Sequence, residues 1–412
     1  MAYDMTLFSS PDSTTSWLAQ WATREFGSAV STATASVMDR YGRFANRRKY
    51  ELLDATIYSV VNYNEADTVL NEWETMVANA QKIYDSLPAN AQPGFFELVL
   101  HPCKAGYILH QLYVNTAKNN LYAKQNRVSA AMYGANAVSA YAADSALATT
   151  YHKMLGGKWD HMMDQTHIGY TYWQEPPANA MPAVTELQPG GHELHIAPNE
   201  PPSRLPPFLR SGQLVQASGP PPPADFKGFV EQDNVVAIEA ANTSKRSGGA
   251  VGSPDAHWVE LPAYGLTGSA MTVFPVDAPS DTQSSAGLSY SLYLYDTEDL
   301  KLQLRLAPTL NFVPGRGLRV AVSVDDGPRQ MIDTLEHNTD LDWGIAVSDN
   351  CRKVEVPLRI SHAGEHTLHI WAVDPALVLE RLIIMHGPLK PSYFGPPESP
   401  RQGIAASDLV KR

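Results

Sequence analysis

Apolar residues in the first part of the chain recur at the three- and four-residue spacing of an amphipathic helix. The clearest stripe runs up to Pro88 and consists of Ala66, Val69, Leu70, Trp73, Met76, Val77, Ala80, Ile83, Tyr84 and Leu87. Because proline cannot continue a helix, we expect this one to end just before Pro88.

Three further segments favour helices. Residues 13–27 carry Trp17 and Trp21 one turn apart and end in a glycine, residues 95–124 are apolar at helical spacing, and residues 128–155 are rich in alanine. Pro102 is expected to kink or restart the second segment. Together they predict an all-α bundle over about residues 13–157.

After residue 229 the period changes to two, which is typical of half-buried strands. Apolar and polar residues alternate in runs around residues 290–294, 302–306, 320–324, 354–358 and 368–370. Turn sequences such as Pro314-Gly315, Asp326-Gly327 and Ala363-Gly364 separate the runs. We therefore predict an antiparallel β-sandwich of jelly-roll type.

The fold class that follows is a multidomain α and β protein. We predict a helical bundle over residues 13–177, a proline-rich linker over residues 178–228 and a β-sandwich over residues 229–395. The linker contains the run Pro220-Pro221-Pro222-Pro223, and a short strand is predicted within it at residues 192–197.

Composition argues against several classes of function. The formal net charge of −12 disfavours a general binder of nucleic acid or of anionic membranes, whereas a neutral, hydroxyl-rich ligand is compatible with it. No apolar run approaches the roughly 18 residues of a membrane-spanning helix. Cys103 and Cys351 are predicted to be two isolated thiols. No signal peptide is visible, and the compartment stays open.

Residues 158–177, between the helices and the linker, combine two histidines, three acids, two tryptophans and two tyrosines. One interpretation is a polar and aromatic wall of a sugar site, in which rings stack on the sugar and polar groups bond its hydroxyls. Its candidate residues are Asp164, Gln165, His167, Tyr170, Tyr172 and Trp173. A buried loop whose polar side chains hold two domains together explains the composition at least as well.

The same segment offers two other kinds of candidate site. His161, Asp164 and His167 follow each other at steps of three and could share one helix face as metal ligands, but no fourth ligand is indicated, so we predict no metal and no cofactor. Asp160 and Asp164 could meet on one face, yet nothing marks them as the carboxylate pair of a glycosidase. We name no catalytic residue.

In the sheet half, aromatic residues are candidates for a carbohydrate-stacking platform, although core packing explains them equally well. They are His257, Trp258, Trp343 and Trp371. His366 and His369 lie three positions apart on a predicted strand. Because successive side chains of a strand point to opposite faces, these two should lie on opposite faces of the sheet.

Several long motifs resemble glycoside hydrolase family 115. Residues 51–67 (ELLDATIYSVVNYNEAD) and 156–173 are similar to the helical region that follows that family's catalytic barrel. Residues 236–240, 268–275 and 364–375, and the tail PSYFGPPES at 391–399, resemble its C-terminal domain.

Members of that family are xylan α-1,2-glucuronidases, which remove glucuronic acid or its 4-O-methyl form from xylan. Their (β/α)8 barrel should precede the helical region, and no alternation of strands and helices precedes Ser13. Many members also carry a further β-domain where this chain has the proline-rich segment. The resemblance therefore implies the accessory C-terminal region of a glucuronidase, which we expect to be inactive alone.

On that interpretation the six candidate residues of segment 158–177 belong to a substrate pocket or to an interface with a barrel. The implied partners are glucuronoxylan or another polysaccharide, a barrel domain and a second copy of the chain, with no nucleic acid and no membrane. The alternative is a stand-alone carbohydrate-binding β-sandwich without hydrolase activity. The third interpretation is a structural fragment that binds no ligand.

Overall fold

The computed structural model describes residues 13–171, 176–186, 219–248, 256–283, 286–313, 317–336 and 338–403. The chain forms two compact units. A helical unit contains the described residues up to 186 together with Pro391–Tyr393, and a sheet unit contains the described residues from 219 onwards apart from those three. The predicted combination of a helical region and a β-sandwich is confirmed.

The helical unit begins with three helices: α1 Ser13–Phe26, α2 Ser31–Arg47 and α3 Glu65–Ser86. Helix α1 ends where Gly27 takes a φ of +93°, a left-handed conformation that glycine adopts without strain. The buried face of α3 contains six members of the predicted stripe, namely Ala66, Val69, Trp73, Met76, Ala80 and Ile83. Helix α2 is absent from the sequence-based prediction.

The next helix is continuous but changes its winding. It consists of α4 Gln92–Phe95, a π-helical turn Phe96–Leu100 and α5 His101–Lys124. Pro102 lies at the start of α5 and has no N–H to donate, and the His101 N–H bonds the Phe96 carbonyl five residues back. The kink or restart predicted at Pro102 is thus a π-helical turn, wider than an α-helical one, just before this residue. Helix α6 spans Ser129–Gly157, and its backbone leaves helical geometry at Met154.

Trp73 is the centre of the helical core. It is fully buried, and its ring centroid lies 4.7 Å from that of His110 and 5.6 Å from that of Phe44. A Cβ on Gly106 would come within 2.4 Å of the Trp73 ring, so only glycine allows α5 to approach this closely. Burial lowers the pKa of His110 to about 4, and the ring donates from Nδ1 to the Gly106 carbonyl at 2.7 Å.

A short tail segment returns to the helical unit after the last long strand. Tyr393 is buried, its hydroxyl donates to the Arg47 carbonyl at 2.7 Å, and its N–H donates to Glu65 Oε2 at 3.0 Å. The same carboxylate oxygen accepts from the Ser59 N–H at 2.7 Å. Residues distant in sequence therefore share one buried acceptor.

The sheet unit contains two sheets. The strands are β1 Gly228–Val230, β2 Val235–Glu239, β3 Lys245–Ser247, β4 His257–Leu261, β5 Ala270–Phe274, β6 Gly287–Leu294, β7 Leu300–Leu306, β8 Arg319–Val324, β9 Gln330–Asp333, β10 Arg352–Pro357, β11 Gly364–Ala372, β12 Val378–His386 and β13 Arg401–Gln402. One helix, α7 Asp340–Ser348, precedes β10.

The strand order is β13-β1-β6-β11-β8-β9 in one sheet, with β3 beside β6, and β10-β7-β12-β5-β4 in the other, with β2 beside β12. Pairing is antiparallel, as predicted, except that β1 runs parallel to β6. The alternating runs predicted from sequence lie on β6, β7, β8, β10 and β11. Leu288, Tyr290 and Leu292 of β6 are fully buried and pack in one apolar cluster with Leu302 and Leu304 of β7.

Helices of the described residues include none that is long and apolar enough to cross a membrane. Cys103 and Cys351 are both buried free thiols, in agreement with the prediction. The strand predicted at residues 192–197 and the turn at Pro314-Gly315 lie outside the described residues.

Candidate functional site

A cavity of about 480 Å³ lies within the helical unit, between α5, α6 and the loop that follows α6. Three of the residues predicted for a sugar site line it: Gln165, His167 and Tyr170. Tyr172 and Trp173 lie outside the described residues. The apolar part of the wall comes from side chains such as Leu109, Leu147, Met162 and Met163.

His167 and Asp144 form the polar floor of this cavity. His167 Nε2 lies 2.9 and 3.0 Å from the two carboxylate oxygens of Asp144, and Nδ1 lies 2.8 Å from the Gln165 carbonyl oxygen. Since both nitrogens face acceptors, the ring satisfies both bonds only in its doubly protonated form. The hydrogen bond to Asp144 accordingly raises the pKa of His167, against the opposing effect of burial.

His101, at the start of α5, also lines the cavity. Its ring packs edge-on against Tyr151 with centroids 4.8 Å apart. Burial lowers the pKa of His101, the Asp144 charge opposes this, and His167 adds to it. The pKa values of the two imidazoles in this cavity are thus shifted in opposite directions.

The loop that carries these residues is held by Tyr113 of α5 and by Asn179 of the segment that follows the loop. Asn179 Oδ1 accepts from the N–H groups of His167 at 2.8 Å and Ile168 at 3.0 Å, and the Tyr113 hydroxyl accepts from the Gly169 N–H at 3.2 Å. Ile168 is fully buried. A buried anchor with satisfied backbone donors on both sides positions Gln165 and Tyr170 at the cavity wall.

Asp164 is placed outside the cavity. Its Oδ2 lies 2.6 Å from His161 Nδ1, and this hydrogen bond raises the pKa of the exposed His161. His161 therefore pairs with Asp164 while His167 pairs with Asp144, so the three residues weighed as metal ligands do not converge. In the described part of the chain no group of three or more His, Cys, Asp and Glu side chains could hold a metal.

The aromatic residues considered in the sheet half are dispersed. Trp258 is buried in the core and donates from Nε1 to the Ala286 carbonyl at 3.3 Å. The guanidinium carbon of Arg329 lies 3.9 Å from the ring centroid of Trp371. Trp343 is half-buried on α7. His366 is buried and His369 half-buried on opposite faces of β11, as their spacing predicted.

Asp144 and His101 are absent from the predicted site. The signal for Asp144 was its position: it falls at helical spacing among the buried Ala137, Ala140, Leu147 and Tyr151, so an acid occupies an apolar stripe. A buried acid requires a partner, and the partner is His167.

Comparison with known families gives two matches. The model of the glycosyl hydrolase family 115 C-terminal domain matches residues 228–398, and the model named glycosyl hydrolase family 115 matches residues 1–52. No curated protein matches the chain in sequence.

Among solved structures, a family 115 4-O-methyl-α-glucuronidase with specificity for decorated arabinogalactans is similar to this chain. The identity is 19% and the TM-score 0.61, and the match covers 91% of this chain and 42% of that one. The chain thus shares the fold of rather less than half of that enzyme.

Two carbohydrate-binding modules match over a smaller part. A family 35 module from Clostridium thermocellum is 14% identical with a TM-score of 0.26, covering 36% of this chain and 98% of its own. A module of lichenase 5A from Cellvibrio mixtus, solved with cellotriose, is 14% identical with a TM-score of 0.25, covering 37% and 98%.

Proposed function

We propose that this chain, whose residues 228–398 are a glycosyl hydrolase family 115 C-terminal domain, is the non-catalytic part of an α-glucuronidase and binds a polysaccharide that bears glucuronic acid or its 4-O-methyl form. Glucuronoxylan is the first candidate. The observation that carries the proposal is the cavity of the helical unit, with Gln165, His167 and Tyr170 in its wall.

The chemistry of the wall suits a sugar. Leu109 and Leu147 offer apolar surface to the C–H face of a pyranose, while Gln165, His101 and Tyr170 offer hydrogen-bonding groups to its hydroxyls. A cavity of about 480 Å³ has room for one or two sugar residues. The side-chain amide of Gln165 belongs to an exposed residue and is accessible to a ligand.

The carboxylates of the cavity support a binding role over a catalytic one. Of the described residues in its wall, Asp144 and Glu51 are acids. Asp144 is buried and holds His167 with both oxygens, which leaves Glu51. A glycosidase needs two carboxylates across the scissile bond, one as acid and one as base or nucleophile.

Calorimetry of the whole chain with 4-O-methylglucuronic acid-substituted xylotriose tests the binding. We expect Gln165→Ala to weaken it about three- to tenfold, the effect of one lost hydrogen bond. Gln81→Ala is the matched control, because Gln81 lies on α3 outside the cavity and bonds Asp85. A chain that binds neither this oligosaccharide nor a glucuronate-capped arabinogalactan fragment contradicts the proposal.

Activity is tested separately. The purified chain incubated with glucuronoxylan should release no glucuronic acid. Release that disappears in Glu51→Gln would show that the chain is itself a hydrolase. A family 115 catalytic barrel expressed separately should co-elute with the chain in gel filtration, and two independent peaks would remove the barrel as a partner.

The second candidate function is polysaccharide binding by the sheet unit alone. It predicts oligosaccharide binding that Gln165→Ala leaves unchanged. What favours it is a second cavity, in the sheet unit.

A further inference from the structure

A cavity of about 460 Å³ lies at one edge of the sheet unit, where α7 covers β9 and β10. Ile332, Val354 and Val356 form its apolar wall. Strand β10 is the edge strand of its sheet and pairs with β7 on one side only. The cavity is therefore built from an open sheet edge and a helix, not from the tightly packed centre of the sandwich.

Arg352 is the unusual residue of this cavity. The residue is only 7% exposed, and its Nε and Nη2 are buried without a hydrogen-bond partner in the part of the chain that the structure describes. Its guanidinium carbon lies 6.0 Å from the ring centroid of Trp343 on α7. Burial lowers the pKa of Arg352, partly opposed by the Asp342 carboxylate. A buried cation with free donors is costly unless something accepts from it.

Acids near Arg352 are already engaged with other groups. Asp349 Oδ2 lies 3.1 Å from Lys353 Nζ, and Asp342 closes a capping box with Thr339 at the start of α7. Asp333 Oδ1 accepts from two backbone N–H groups, those of Leu318 at 3.2 Å and Leu335 at 3.0 Å. These carboxylates are held in place by bonds that do not involve Arg352.

The charge of the wall selects the class of ligand. Five carboxylates and two cationic side chains line the cavity, so its field is negative and disfavours an anion. A neutral ligand rich in hydroxyls avoids that repulsion. The oxygen atoms of such a ligand can accept hydrogen bonds from Arg352, and its hydroxyl groups can donate hydrogen bonds to carboxylates such as Glu336.

We propose that this cavity is a second carbohydrate site, which binds a neutral sugar residue of a polysaccharide main chain with Arg352 as the central donor and Trp343 beside it. The choice of a sugar rests on the proposed function, whereas the site itself is independent of the cavity in the helical unit. The two sites would take different parts of one polymer, the acidic substituent and the neutral main chain.

The test is calorimetric titration of the whole chain with xylotetraose and with cellotetraose, alongside free glucuronate as the anionic probe. Arg352→Met removes the donors but keeps an unbranched apolar stem, and Lys245→Met is the control, because Lys245 is an exposed cation on β3 that does not line the cavity. We expect Arg352→Met to weaken binding of the neutral oligosaccharide about tenfold to a hundredfold, as for hydrogen bonds from a charged donor. Lys245→Met should change it less than twofold.

Thermal unfolding distinguishes loss of a site from loss of the fold. Replacing a buried unpaired charge by an apolar side chain should leave the melting temperature of Arg352→Met equal to or above that of the parent. No binding of either neutral oligosaccharide, or equal binding by Arg352→Met, overturns the inference, as does binding of glucuronate alone. Gln165→Ala should leave xylotetraose binding unchanged, so the two cavities can fail independently.

Discussion

His167 donates from Nε2 to both carboxylate oxygens of Asp144, at 2.9 and 3.0 Å, although 23 residues separate the two in sequence. The bond joins the loop of the predicted site to the buried face of α6. It also fixes the ring so that Gln165 and Tyr170 lie at the same cavity wall. This pair is therefore a positioning element for the proposed sugar site.

Asp144→Asn should lower the pKa of His167 toward the ordinary value of about 6.5, because the anionic acceptor is removed. A histidine whose folded pKa is raised adds stability below its unfolded pKa, and that stability is lost as pH rises through the folded pKa. The pH dependence of unfolding just above pH 6.5 should therefore weaken in the variant.

The measurement is an NMR titration of the histidine ring protons, combined with urea unfolding at several pH values. Asp164→Asn is the control, since Asp164 Oδ2 bonds His161 Nδ1 at 2.6 Å, whereas the acceptor of His167 is Asp144. An unchanged His167 titration in Asp144→Asn would show that the carboxylate does not set its protonation.

Gly169→Ala should destabilise the helical unit and weaken oligosaccharide binding. Gly169 has a φ of +78°, and an added Cβ would lie 2.9 Å from Ala180 Cβ and 3.0 Å from its carbonyl oxygen. Gly156→Ala is the matched control, with a φ of +70° and nothing within 4 Å of the added Cβ. It should show only the conformational cost of about 1–2 kcal/mol.

Chemical denaturation compares the two glycine variants. If Gly169→Ala costs no more than Gly156→Ala, the loop moves freely and the contact with Ala180 does not hold it. A larger loss, together with weaker binding of the substituted xylotriose, supports a loop that positions the cavity wall.

Asp374→Ala should cost the sheet unit about 3–5 kcal/mol, because it leaves a charged partner without its counterion. The Asp374 side chain is fully buried and accepts from the Arg319 N–H at 2.8 Å, from Arg319 Nε at 2.8 Å and from Nη2 at 3.1 Å. Burial acts to raise the pKa of Asp374, but these bonds outweigh it and the pKa is lowered. Its contribution is therefore present above about pH 3.8 and lost as pH falls further.

Urea unfolding at pH 7 and pH 3 checks this, with Lys390→Ala as the control. The Lys390–Asp233 pair is 3.5 Å apart with both side chains more than half exposed, and such pairs contribute less than about 1 kcal/mol. Equal losses for the two variants at pH 7 would contradict a structural role for the buried pair.

Glu380→Gln should stabilise the sheet unit at high pH. Burial, opposed by the Leu266 N–H and reinforced by the Glu239 charge, raises the pKa of Glu380 to about 7. In the unfolded chain the pKa is about 4.5, so the folded state binds the extra proton and stability falls as pH rises from about 4.5 to about 7. The gain in the variant should be about 3 kcal/mol at pH 8 and close to zero at pH 4.

Denaturant midpoints of the parent and Glu380→Gln at these two pH values test the sign directly. Glu365→Gln, an exposed acid on β11, serves as the control and should show no pH-dependent gain. A variant that is less stable than the parent at pH 8 would mean that ionised Glu380 is bonded favourably in the fold.

Periodicity in the sequence predicts the helices and strands that have one buried face and one face exposed to solvent. The stripe of α3 and the alternation of β6, β7 and β11 are of this kind. Strand β12 has eight consecutive buried residues, among them Glu380 and Arg381, so it has no alternation to detect. Helix α2 was missed because its buried face includes Ser31, Thr34 and Arg47.

The wall of the cavity in the helical unit was predicted in part for a related reason. Polar and aromatic residues crowded into residues 158–177 marked the loop, and Gln165, His167 and Tyr170 do share one cavity wall. The rest of the wall comes from α5 and α6, and which residues meet the loop depends on packing across long sequence separations. Asp164 appears equivalent to its neighbours in sequence, yet it faces His161 at the surface.

The return of Pro391–Tyr393 to the helical unit has a consequence for biosynthesis. The ribosome synthesises α6 long before it reaches Tyr393. Glu65 and the Arg47 carbonyl therefore lack their hydrogen bonds from Tyr393 while the sheet unit is being translated. The helical unit can finish folding only after translation of the strands. A nascent chain halted before residue 391 should consequently expose the Tyr393 binding position to chaperones and proteases.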